Sequence, residues 1–73
     1  MTPEKIKALI EAGLENAHAT VSGDDGVHFE ATVICPQFAG KNMLTQHRMV
    51  YEALGDKLKQ EIHALSLKTL VVE

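Results

Sequence analysis

The chain has little with which to staple, stack or span. Among 73 residues there is one cysteine, Cys35, so no internal disulfide can form. That suits a reducing compartment. Tryptophan is absent, and the aromatics are Phe29, Phe38 and Tyr51, too few for a broad base-stacking platform. No apolar run approaches the roughly 18 residues that cross a bilayer. None at the start has the character of a signal peptide, so a cytoplasmic setting is expected. An excess of positive charge is also missing. Ten acidic residues against seven basic ones give a net charge of −3 with histidine neutral. Nucleic-acid-binding domains are usually basic overall, which argues against non-specific binding and leaves room only for a local basic patch.

The motifs of self-contained chemistry are absent too. There is no Gly-rich phosphate cradle of the GxxxxGK[ST] or GxGxxG kind, and no HExxH or CxxC spacing that would build a closed zinc site. No paired-carboxylate signature appears. Cys35, directly before Pro36, has no histidine close by in sequence to activate it, and a small buried residue is its plainer role. The reading is therefore of a protein that is not an enzyme.

What is present is an ordinary folding composition, 45% hydrophobic and 23% charged, in one small domain. A chain of this size buries only about 60% of its unfolded surface. Residues 2–15 read as a helix, with Thr2 as N-cap, Pro3 in the first turn and Glu4 at the positive end of the dipole. Ile6, Leu9, Ile10, Gly13 and Leu14 share one face, with Lys5, Lys7 and Glu11 away from it. Residues 17–22 alternate as a short strand, GDDG at 23–26 is a dense turn signal, and residues 27–35 alternate as a longer strand. In the second strand Val27, Phe29, Ala31, Val33 and Cys35 fall on one side.

Pro36 ends that strand. Residues 36–42 read as a loop in which Gly40 takes a conformation other residues avoid. Residues 43–55 read as a second helix whose apolar stripe is Met43, Leu44, His47, Val50, Tyr51 and Leu54, with Gly55 as its stop. A short turn over 58–61 and a final strand from Ala64 complete the order αββαβ with one extra short helical turn. A helical crossover allows the third strand to run parallel to the second. The expected product is an α+β, two-layer domain, a three-stranded mixed sheet with helices on one face.

The histidines are the chemically interesting residues. His28 follows the turn and His63 precedes the last strand, so both can reach one edge of such a sheet and supply half of a metal site. For each, a packed or solvated role is the simpler alternative. His47 lies on the apolar stripe, which suits a partly buried, hydrogen-bonded structural histidine. Arg48 with Lys41 makes a small basic corner that can meet a phosphate, a partner or only water.

The run PQFAGKNMLTQHRMVYEAL followed by IHALSLKTL resembles the BolA family, in particular its short bacterial branch. Phe38, Gly40, His47, Arg48, Val50 and Leu54 meet the family pattern, as do His63, Ala64 and Leu65 before the last strand. The likeness extends to KIKALIEAGL and GDDGVHF. It implies the αββαβ fold with an extra helical turn, similar to a type II KH domain. It also implies a partner, a monothiol glutaredoxin, with which the chain shares a 2Fe–2S cluster. The glutaredoxin and its glutathione bring thiolates. His63 matches the family's ligand at the start of the last strand, and His28 is the candidate by type in the loop between the first two strands. Imidazole in place of thiolate removes negative charge from such a cluster and raises its potential. It also makes the cluster acid-labile, because the ligand protonates near neutrality. The implied function is iron–sulfur trafficking or iron and stress sensing, with the isolated protein free of cluster and monomeric or weakly dimeric. Longer family members suggest the other reading, a KH-like nucleic-acid-binding transcriptional regulator, with Lys41, His47 and Arg48 as contacts. KH domains clamp nucleic acid with a GXXG loop, which this chain lacks.

Overall fold

The computed structural model describes residues 2–25, 28–55 and 64–71. The elements run α1 (Pro3–Gly13), β1 (His18–Ser22), β2 (His28–Ile34), a 3-10 turn (Pro36–Phe38), α2 (Met43–Leu54) and β3 (Ala64–Leu70). The expected short turn over 58–61 lies outside the described residues.

Thr2 caps α1 as its sequence predicts, its hydroxyl accepting from the Lys5 amide at 3.3 Å, with Pro3 in the first turn where no N–H partner is needed. The helix ends at Gly13, earlier than residue 15. Leu14 leaves in extended geometry (φ −128°, ψ 116°), and its side chain is still buried. Asn16 then turns the chain at φ 61°, a left-handed conformation that asparagine tolerates better than most residues.

The sheet order is β1-β2-β3. β1 pairs antiparallel with β2, placing Val21 opposite Ala31. β3 pairs parallel with β2, placing Leu67 opposite Ala31, as the helical crossover predicts. Residues of one parity, Ala19, Phe29, Ala31 and Val33, face inward against Ile6, Ile10, Val50 and Leu54 of the two helices. The opposite face of β1 and of the first half of β2, with His18, Thr20, Ser22, His28 and Glu30, is exposed. Both helices therefore lie on one face of a mixed sheet, the expected two-layer arrangement.

The face that α2 buries differs from the expected stripe. Val50 and Leu54 are in the core, but Met43 and Leu44 are 67% and 68% exposed and Tyr51 is 38% exposed. Met49 and Ala53 pack inward instead. The reason lies in the partner: α2 meets α1 where Gly13 faces Ala53, an approach so close that a Cβ on Gly13 would stand 2.6 Å from that of Ala53. That crossing rotates α2 away from its large N-terminal residues. Asn42 caps the helix, accepting from the Thr45 amide at 2.9 Å, and Gly55 ends it at φ 59°.

Residues 36–42 are more ordered than a plain loop. They hold the 3-10 turn, which buries Phe38 completely, followed by Gly40 at φ 76°, in the left-handed region as expected. Gln46 ties this segment down: its amide nitrogen donates to the carbonyls of Lys41 (2.7 Å) and Phe38 (3.3 Å), and its amide oxygen accepts from the Thr69 hydroxyl of β3. One side chain thus joins loop, helix and strand.

Glu11 does the same for the other half. Its Oε2 accepts from Lys7 Nζ at 2.8 Å and from the Ala19 amide of β1 at 3.0 Å. The Lys7 bond first, and the Ala19 bond second, hold its carboxyl below the ordinary value of 4.5. A carboxyl lowered in the folded state stabilises it above the unfolded value, and that contribution is lost as pH falls through the folded one. Glu11→Gln is therefore expected to be less stable than the wild type at about pH 7, with the difference closing on acidification. Urea denaturation at about pH 7 and about pH 3 checks this; a difference that stays constant would refute it.

Candidate functional site at the β1–β2 turn

The turn leaving β1 folds back tightly on β2. At Gly23 a Cβ would lie 2.6 Å from the His28 carbonyl oxygen and 2.7 Å from Cδ1 of the Phe29 ring, so a side chain there displaces β2 itself. Asp25 then faces His28 three residues on. Its Oδ1 accepts from the His28 backbone amide at 2.8 Å, and its Oδ2 lies 2.7 Å from His28 Nδ1. The imidazole is 71% exposed and the carboxylate 49%.

His28 opens β2, and the parallel register places it opposite Ala64, which opens β3. Beside it is an open depression of about 550 Å³, lined in part by Ser22, Asp24, Glu30 and Ser66. His63 lies outside the described residues. Ala64, the next residue in sequence, is the strand partner of His28. Among the described residues no three His, Cys, Asp or Glu side chains converge as a metal site. This corner offers one exposed imidazole whose Nδ1 is already engaged.

Cys35 is fully buried, with its thiol donating weakly to the Glu15 carbonyl at 3.6 Å. His47 is partly buried and sets its ring edge-on to Tyr51, with centroids 6.4 Å apart at 75°. Its Nε2, however, is buried without a hydrogen-bond partner, so the expected hydrogen-bonded histidine is corrected at that atom. Lys41 and Arg48 are exposed. Among the described residues no salt bridge involves either side chain.

Sequence reading missed Asp25, whose carboxylate is a poor iron ligand but a good orienter of a ligand. The signal was available: an aspartate three residues before a histidine, in a turn, is spaced for a side-chain-to-backbone bond.

The order αββαβ, the mixed sheet β1-β2-β3 and the paired helices on one face define a small two-layer α+β domain with a histidine at the turn end of its central strand. The family described as BolA-like protein matches residues 1–73, and the chain belongs to it. A solved structure of a bolA homologue from Coxiella burnetii superposes with a TM-score of 0.85 at 51% identity, covering 94% of this chain and 88% of that one. Protein BOLA2 of Arabidopsis thaliana is 44% identical over an alignment of 71 positions that covers 93% of this chain and 75% of that protein. The protein named DNA-binding transcriptional regulator BolA in Vibrio cholerae is 34% identical over 71 residues, 97% of this chain but 63% of its own length. The chain thus spans less than two thirds of that relative. Among the described residues no helix is long and apolar enough to cross a membrane.

Proposed function

We propose that this chain is a non-enzymatic adaptor that pairs with a monothiol glutaredoxin and holds one side of a shared 2Fe–2S cluster, serving iron–sulfur trafficking or iron and stress sensing. The observation that carries the reading is the pairing of His28 with Ala64. It brings one candidate ligand beside the point where the chain, having passed His63, starts β3. His28 is exposed, as a residue meeting a partner must be. One or two imidazoles are an incomplete set, which suits a cluster whose remaining ligands are thiolates of glutaredoxin and glutathione. Bound there, the cluster would itself be the cargo and could carry an electron at a potential raised by nitrogen ligation. The chain's own residues present nitrogen lone pairs and a docking surface.

The test is reconstitution with a monothiol glutaredoxin, glutathione, iron and sulfide, followed by visible circular dichroism. A heterodimer spectrum distinct from that of the glutaredoxin homodimer is expected for the wild type. His63→Ala should abolish it and His28→Ala should weaken or alter it. A normal spectrum with His63→Ala would sink the assignment.

A nucleic-acid-binding regulator is the second reading. It draws on the name of the Vibrio cholerae relative and on the exposed Lys41 and Arg48. A net charge of −3 opposes it. Fluorescence anisotropy with duplex DNA at about 0.15 M salt separates the two readings.

A further inference from the structure

We infer that Asp25 is a positioning residue for His28, holding the ring in its Nδ1–H tautomer so that Nε2 carries the free lone pair and is the nitrogen that meets a metal. What Nε2 binds rests on the adaptor reading; the tautomer does not.

A neutral imidazole carries one proton on either nitrogen, and the hydrogen bond made by one nitrogen decides the role of the other. An ionised carboxylate only accepts. With Oδ2 at 2.7 Å from Nδ1, the ring proton belongs on Nδ1. Metal-bound histidines generally give their second ring N–H to a carboxylate or carbonyl, which fixes the ring and raises the basicity of the ligating nitrogen.

An exposed contact of this kind is weak if the two side chains must find each other. Here they need not. The other oxygen, Oδ1, takes the backbone amide of the same histidine at 2.8 Å. The carboxylate is thereby anchored to the start of β2 before the ring arrives, and one group holds both ends of one residue. The partners are only three positions apart in one chain, so the arrangement exists in the free protein and does not wait for a second chain. Asp24 and Glu30 line the same depression, but neither has a hydrogen bond to His28. Asp25 is therefore distinct from its acidic neighbours.

The test combines the free protein with the complex. Long-range ¹H–¹⁵N correlation spectra in mildly basic buffer report the His28 tautomer in the wild type, Asp25→Asn and Asp25→Ala. Amide fingerprint spectra show that each variant is folded. The wild type is expected to be Nδ1–H. In Asp25→Asn the oxygen can keep the backbone bond while the amide NH₂ faces Nδ1, so the proton should move to Nε2. In Asp25→Ala the two tautomers should mix. In the glutaredoxin complex both variants should lose cluster to a chelator on the order of ten times faster than wild type, the usual scale for removing such a support. A wild-type ring protonated at Nε2, or a tautomer indifferent to Asp25, overturns the inference. So does a tautomer that moves while cluster retention does not. If the wild type gives no heterodimer spectrum, the adaptor reading falls and the ligand role of Nε2 falls with it. The tautomer spectra still decide whether Asp25 sets the ring.

Discussion

Phe38→Ala is expected to bring the domain close to unfolding. Phe38 is the largest fully buried side chain among the described residues. It sits in a 3-10 turn. Removing a buried phenylalanine ring costs about 3–5 kcal/mol. A domain of 73 residues has in total roughly 4–11 kcal/mol of stability on the usual per-residue scale. The substitution therefore removes from about a quarter to all of it. For a domain this small each kcal/mol moves the melting temperature by about 4–8 °C, so a fall of at least roughly 12 °C is expected. Thermal unfolding followed by circular dichroism measures it. A fall of only a few degrees would mean that the 3-10 turn collapses into the cavity and that Phe38 is not a keystone of the core.

Gly13→Ala is expected to destabilise the protein although helix propensity predicts the opposite. In a helix alanine is favoured over glycine by roughly 0.5–1 kcal/mol. Against this, the new methyl would lie 2.6 Å from the Ala53 Cβ and 3.0 Å from its Cα. Neither atom belongs to a flexible side-chain end, so α1 and α2 must move apart. Overpacking of this kind costs about 1–3 kcal/mol, and the clash outweighs the propensity gain. The sign is decisive and the cause can be isolated. Ala53→Gly in the Gly13→Ala background should restore most of the loss, giving a coupling energy well above the few tenths expected of independent sites. Urea denaturation of the four proteins closes the cycle. Additive effects would show that the helices are not in the contact described.

Local signals carried most of the fold. Thr2 and Pro3 begin α1 where the side chain can cap and the missing N–H does not matter. Alternation in 17–22 and 27–35 assigns the buried parity of β1 and β2 correctly because one face of the sheet is wet. The α2 face was not legible. Met43, Leu44, Val50, Tyr51 and Leu54 form one stripe at helical spacing, and Met49, Val50, Ala53 and Leu54 form another. The two share Val50 and Leu54, so periodicity cannot choose between them. The choice is made by Gly13, which admits Ala53 and so turns α2, a contact between residues 40 apart. At the site, His28 was recognisable by its type and place, but Asp25 stood out only as part of the GDDG turn. Its bond to His28 depends on the turn geometry set by Gly23. His63 drew attention from the same residue-type reasoning and from family likeness.

The parallel pairing of β2 with β3 also bears on how the chain reaches its native state. His18 and Ile34 close the hairpin across 16 residues, whereas His28 and Ala64 meet across 36. Doubling a loop adds only about 0.6 kcal/mol of closure entropy, so the difference matters little to stability. It matters to rate, because long-range pairings form late. The hairpin and its turn can be in place while β3 is still searching for its register. Every pair between β2 and β3 spans the same 36 residues, so the whole β2–β3 seam, the His28 corner included, is expected to close after the hairpin. A partner that gripped both sides of that seam would act as a latch on unfolding, and β3 amides would then exchange with solvent more slowly in its presence than in the free protein.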